Sequence, residues 1–190
     1  MYQIIQAPHE ILRKATVPVA DFDTKLLKII EEMKTTLILQ KNPEGVGLAA
    51  NQVGLPYKLF LTHFKPSKTE PVRVFINPEI VAHSQEFQEE TKKSPLEGCL
   101  SLPKYYGMVK RWKWIKLKYQ TTDHGLPTSV DSSQWIESIF EDFPAVVIQH
   151  EMDHLEGKIF VERILEQKGK MYKITGKGKN GKDEWEEVEL

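Results

Sequence analysis

His150 and His154 stand four residues apart in Gln149-His150-Glu151-Met152-Asp153-His154, with Glu151 between them. On an α-helix, at about 100° per residue, the two imidazoles fall about 40° apart around the axis and can grip one metal ion. Glu151 faces the same cavity as a proton carrier, and the whole pattern suits hydrolysis by a metal-activated water. A solvated helix face is the competing reading of the same letters. Val146, Val147, Ile148, Met152 and Leu155 weigh against it. A helix apolar on so much of its circumference is buried, and bare charges there would be costly.

The third ligand decides the chemistry. Gly157 imitates the spacing of the metzincin proteases, but Phe160 stands where their third histidine would be. Glu162 or Glu166 could serve a gluzincin-type protease, yet little chain follows to build the rest of one. Cys99 is the stronger candidate, in Glu97-Gly98-Cys99-Leu100-Ser101-Leu102-Pro103. Gly98 would let the backbone approach a ligand closely, and Pro103 ends the segment. A lone cysteine is ordinarily a small buried hydrophobe. As a thiolate with two neutral imidazoles it would leave a divalent ion at net +1, with a fourth position open, and the set suits zinc, ferrous iron, cobalt or nickel.

Gly45-Val46-Gly47-Leu48-Ala49-Ala50 formally fits a dinucleotide-binding fingerprint. That fingerprint needs a preceding strand, and here an amphipathic helix precedes it. A glycine-bent strand that can pair with an extended peptide fits better, with Gln52 offering its amide to the same site; a tight turn is the plain alternative.

The elements that must position these residues can be read in outline. Asp23 to Gln40 is an amphipathic helix, with Leu26, Ile30, Met33 and Leu37 at helical spacing. Strands are expected over 58–62, 72–76 and 79–84, over the alternating Ile115, Leu117 and Tyr119, and over 134–140. Pro144 and Gly157 mark the start and stop of the metal-binding helix. Near the end, 172–175 and 183–188 flank Gly176 to Lys182 and predict a hairpin of opposite charges.

Composition limits the rest. The 190 residues suffice for one domain with a hydrophobic core. With 26 basic against 27 acidic residues and net charge -1, nothing global indicates a nucleic-acid or anionic-membrane binder. No signal peptide or long apolar run is apparent, and the single cysteine fits a reducing compartment.

Three segments, Gly45-Val46-Gly47-Leu48-Ala49-Ala50-Asn51-Gln52, Glu97-Gly98-Cys99-Leu100-Ser101 and Gln149 to His154, resemble in order and spacing the signature motifs of peptide deformylase. The resemblance extends to Pro8-His9-Glu10-Ile11-Leu12-Arg13, Ile76-Asn77-Pro78-Glu79 and Leu155-Glu156-Gly157. It implies an α+β fold, with small mixed or antiparallel β-sheets around a central metal-binding helix, to which the residue patterns above add the N-terminal amphipathic helix and the C-terminal hairpin. Residues 1–168 would be the catalytic domain and 169–190 a tail packed on it. Cys99, His150 and His154 would hold one divalent metal ion, usually Fe2+ in this family, with Zn2+, Ni2+ or Co2+ as alternatives. Glu151 would be the general acid and base, and Gln52 with the Leu100 N–H would hold the oxyanion. Gly45, Val46 and Gly47 would line the substrate strand with Gly98, while Glu97, Phe143, Val146 and Val147 would border the pocket for the first side chain.

The implied activity is removal of the formyl group from N-formylmethionyl nascent peptides, in transient association with the ribosome, without nucleic-acid specificity or a membrane. The compartment would be the cytoplasm, or an organelle matrix or stroma after loss of a transit peptide. A small metalloprotease using another third ligand, or a protein whose metal only fastens helix to sheet, are the alternatives. Two departures from the family pattern are local. The chain ends in the acidic stretch Asp183 to Leu190, where many members end in a basic helix, and Tyr105-Tyr106-Gly107 stands where some carry an arginine near the substrate.

Overall fold

Asp23 opens the first helix by accepting a hydrogen bond from the Leu26 N–H at 2.8 Å, which satisfies one of the amides a helix start leaves unpaired. In the computed structural model, which describes residues 1–64, 71–89, 96–122, 134–178 and 180–189, this helix, α1, spans Thr24–Ile38. Its buried stripe includes Leu26, Ile30, Met33 and Leu37, the spacing the sequence predicts.

All strand pairs within the two sheets are antiparallel, so the expectation of mixed sheets narrows to antiparallel ones. One sheet has the order β1-β2-β3-β6-β7, built from Gly47–Ala49, Leu59–Thr62, Arg73–His83, Trp114–Gln120 and Ile136–Glu141. The other has the order β4-β5-β8-β9, from Glu97–Cys99, Leu102–Gly107, Met171–Lys177 and Asp183–Val188. The two strands expected over 72–76 and 79–84 are one, β3. Its ladder to β6 shifts register between Ile76 and Glu79, because Pro78 has no N–H to contribute. Asn77 pins the irregularity: its Oδ1 accepts from the Val19 N–H at 2.8 Å, and its Nδ2 donates to the Val19 carbonyl at 2.9 Å and to Gln120 Oε1 at 2.8 Å.

The first sheet is covered on both faces, and the period-two alternation of its strands sorts the residues. Leu59, Leu61, Val74 and Ile76 face α1, packing with Ile30, Met33 and Leu37. Phe60 and Phe75 point to the other side, against Ala145, Val147, Ile148 and Leu155 of the second helix, α2 (Asp142–Leu155). Phe60 and Phe75 are fully buried and stacked with centroids 4.8 Å apart, and each contributes about 2 to 3 kcal/mol by leaving water. Gly157, just past α2, has φ 74; an added Cβ would also lie 2.7 Å from the Arg13 carbonyl, so glycine is required there. A short third helix, α3 (Phe160–Glu166), buries Phe160 and Ile164 against Cys99 and Met171 of the second sheet.

The tail is the expected hairpin, β8 with β9, and β8 also pairs with β5, so the hairpin extends the second sheet. Lys179, in the expected turn, and Leu190 lie outside the described residues. No helix among the described residues is long and apolar enough to cross a membrane.

Candidate active site

Helix α2 turns His150, Glu151 and His154 toward the seam where edge strand β1 of one sheet meets edge strand β4 of the other. The imidazole centroids are 5.0 Å apart. Cys99, the last residue of β4, places its sulfur 3.1 Å from His154 Nε2, and one donor atom from each of Cys99, His150 and His154 lies within 4.8 Å of the others. The Ser101 N–H and Gln52 Nε2 each reach this sulfur at 3.4 Å. Burial pushes the Cys99 thiol up, but His154 and His150 outweigh it and bring it down to about 5. A soft thiolate and two imidazoles, buried and convergent, form a donor set that fits a divalent transition-metal ion.

The surroundings orient the donors. His150 Nδ1 lies 3.0 Å from Glu97 Oε2, which leaves Nε2 as the nitrogen able to serve a metal ion. Arg111 grips Glu97 with two hydrogen bonds, from Nε at 2.8 Å and Nη2 at 2.9 Å, and donates from Nη1 to Asp153 Oδ2 at 2.6 Å. Asp153 is held as well by Arg163 of α3, whose Nε reaches it at 3.0 Å. Burial would raise the Glu97 carboxyl, yet Arg111 and then His150 hold it at about 2. This run of alternating charges ties β4, α2 and α3 together behind the three candidate donors.

Glu151 sits differently. Its Oε2 is buried with no hydrogen-bond partner, and burial raises its carboxyl to about 7, against the two imidazoles and with the Cys99 charge adding to the rise. An acceptor left unpaired at a cavity is costly, and a water held by the neighbouring donors would satisfy it. Gly47 makes the room: an added Cβ would collide with the Glu151 carboxylate. The next residues, Ala50–Val53, form a 3₁₀ turn that buries Gln52. The Ala49 N–H donates to Gln52 Oε1 at 2.8 Å and turns the amide nitrogen toward Cys99 and Ser101.

These groups line one cavity of about 210 Å³. Gly47, Gln52, Cys99, Leu100, His150 and Glu151 form its reactive end, and Val46, Phe143, Val146 and Val147 its apolar wall, with Gly98 between. Gly45 does not reach it; its N–H donates to the Gln40 carbonyl at 3.3 Å, closing the loop after α1. Glu97 lines the cavity, but its carboxylate is committed to Arg111 and His150 rather than to a side-chain pocket. Sequence reasoning missed Arg111, Ser101, Leu96, Pro43 and Glu44, and gave Asp153 no role. Arg111 resembles any surface arginine in the sequence, and only the fold shows it 4% exposed between two carboxylates.

A helical His-Glu-x-x-His run completed by a strand-borne thiolate, on an α+β framework with a cavity between two sheet edges, defines a class of metal-dependent hydrolases. Residues 1–170 match the sequence pattern of the polypeptide deformylase family. A peptide deformylase of Desulfotalea psychrophila is 38% identical over 173 residues, covering 90% of this chain and 92% of that protein. One of Thermotoga maritima is 39% identical over 164 residues, covering 86% and 87%. A crystal structure of the Thermotoga maritima peptide deformylase superposes with TM-score 0.71 at 36% identity, covering 86% of this chain and 97% of that one. A peptide deformylase of Synechococcus elongatus, solved in complex with actinonin, superposes with TM-score 0.73 at 28% identity over 85% and 79%. The chain belongs to the polypeptide deformylase family, metal-dependent enzymes that remove the N-formyl group from the terminal methionine of nascent peptides.

Proposed function

We propose that this chain deformylates N-formylmethionyl peptides with Cys99, His150 and His154 as metal ligands, Glu151 as acid and base, and Gln52 with the Leu100 N–H as oxyanion donors. The observation that carries this is the meeting of the three ligands with an unpaired, Gly47-accommodated Glu151 carboxylate in one cavity. The donors fit Fe2+, which the family resemblance favours, and equally Zn2+, Ni2+ or Co2+. When bound, such an ion supplies Lewis acidity and lowers the pKa of water.

Glu151 takes a proton from the attacking water and passes it to the amide nitrogen as the carbon–nitrogen bond breaks, so that formate and a free α-amine leave. Gln52, held in orientation by Ala49, and the Leu100 N–H stabilise the charge that develops on the formyl oxygen. A donor aimed in advance at a developing charge is worth roughly 3 to 4 kcal/mol. Strands β1 and β4 are both edges and both border the cavity, so an extended peptide between them can add to either sheet. The methionine side chain then enters the apolar wall formed by Val46, Phe143, Val146 and Val147, where an unbranched chain fits.

Residues 1–168 form the catalytic unit and 169–190 an appended hairpin, a reading supported by the family match ending at 170. Substrates are met as nascent chains in transient contact with the ribosome, in the cytoplasm or an organelle. Protein purified anaerobically with ferrous iron should release formate from formyl-Met-Ala-Ser and none from the unformylated peptide. Folded, metal-loaded protein that releases no formate would overturn the reading. Glu151→Gln should keep the metal and lose nearly all turnover.

A further inference from the structure

The C-terminal hairpin meets a residue of the cavity wall through one aromatic pair. Tyr106 of β5 lines the cavity, opposite Gly98 of β4 in the ladder. Its ring covers the glycine: a Cβ on Gly98 would lie 2.5 Å from Tyr106 Cε1. On the side of β5 away from β4, the Tyr106 ring meets Trp185 of β9 edge to face, with centroids 5.1 Å apart and planes at 71°. Register accounts for the meeting. Tyr106 pairs with Tyr172, Ile174 lies two residues on, and Ile174 pairs with Trp185, so all four residues stand on one face of the second sheet. The other face packs on α3 through Met171 and Val188.

We propose that the hairpin is part of the substrate site: Tyr106 is a specificity-determining residue for the side chain that follows the methionine, and Trp185 is the positioning residue that holds the Tyr106 ring in place. The placement argues for that side chain. The apolar wall at Val146 and Val147 comes from α2, whereas Tyr106 reaches the same cavity from β5, beside Gly98 of β4. Consecutive side chains of an extended peptide point to opposite faces, so if the first enters the α2 wall the next turns away from α2, and the cavity lining that does not belong to α2 includes Gly98 and the ring over it. The residue this favours is apolar or aromatic, or carries a cation that can sit over the ring. Trp185 is exposed and joins no core cluster, so its place over Tyr106 is not explained by packing of the interior.

The proposal rests on the deformylase reading, and its test compares formyl-Met-Phe-Ser with formyl-Met-Gly-Ser, which keeps the backbone but lacks the second side chain. Trp185→Ala should raise KM for formyl-Met-Phe-Ser about 5- to 10-fold, the range an aromatic pair supplies, and change kcat much less. Formyl-Met-Gly-Ser should be affected far less than formyl-Met-Phe-Ser. Tyr106→Ala should do the same, and the double variant should be no worse than Tyr106→Ala alone, because Trp185 acts through that ring. Trp185→Phe should restore most of the KM for formyl-Met-Phe-Ser. Trp185→Leu keeps an apolar side chain on β9 and serves if the alanine variant melts early. Equal losses on both substrates, additive variants or no change in KM would each overturn the inference while native turnover upheld the deformylase reading. Native protein that turned over neither substrate would overturn both.

Discussion

Gly47→Ala isolates the proposed acid–base group, Glu151, from the proposed metal ligands. Gly47 has no positive φ, so alanine meets no backbone penalty there. What it meets is Glu151. The new methyl would overlap the carboxylate oxygen and lie 2.7 Å from its carbon and 3.0 Å from Cγ, where carbon contacts normally rest at about 3.5 to 4.0 Å. The side chain therefore has to move by roughly 1 Å, a displacement that costs on the order of 10²-fold in an oriented reaction. General acid–base catalysis is itself worth about 10²- to 10⁴-fold. A fall in kcat of about 10²- to 10³-fold follows, or roughly 3 to 4 kcal/mol of transition-state stabilisation. Formate release from formyl-Met-Ala-Ser measures it, with metal content by elemental analysis and a thermal melt run beside it. Metal stoichiometry should be native, since Cys99, His150 and His154 are untouched. Near-native kcat with metal bound would refute the role given to Glu151, and loss of the metal together with activity would refute the separation of the two functions.

Arg111→Met leaves Glu97 and Asp153 buried without their shared cation, and breaking a buried pair from one side costs about 3 to 5 kcal/mol. Thermal denaturation should show a melting point lower by roughly 10 °C, with metal affinity weakened about 10- to 100-fold through His150; a native melting point would show that the network contributes no net stability. Acid should act through the same group. The Glu97 carboxyl is lowered from 4.5 to about 2 on folding, so the stabilisation it contributes is complete above pH 4.5 and disappears as the pH falls toward 2. Glu97→Gln should therefore flatten the acid limb of stability measured by urea denaturation, and an unchanged limb would count against the assignment. Chelation should abolish activity. Iron-loaded protein should lose it in air, as the Cys99 thiolate and the ion oxidise, while nickel- or cobalt-loaded protein keeps it; equal lability with every ion would count against this.

The chemistry of this chain was legible in short segments. His150, Glu151 and His154 stand out because helical spacing puts residues four apart on one face, and Cys99 because its segment Glu97-Gly98-Cys99-Leu100-Ser101 resembles a family motif. The long helix α1 was legible for the same reason of period, and the tail hairpin through its paired segments. Other features depend on residues far apart in the chain. Whether Asn77-Pro78 is a turn or a bulge inside β3 was decided by Val19 and Gln120, and Gly45 was drawn out of the site by the loop that closes α1. Arg111 became a structural centre only when β4 and α2 brought two carboxylates to it, and Trp185 met Tyr106 at the edge of the cavity only through the register of β5, β8 and β9. By itself, then, the sequence determined which groups could react, because ligand identity and helical period are local properties. The tertiary structure alone decided what orients those groups and what walls the cavity, because buried charge pairing and sheet register join residues whose separation along the chain carries no signal.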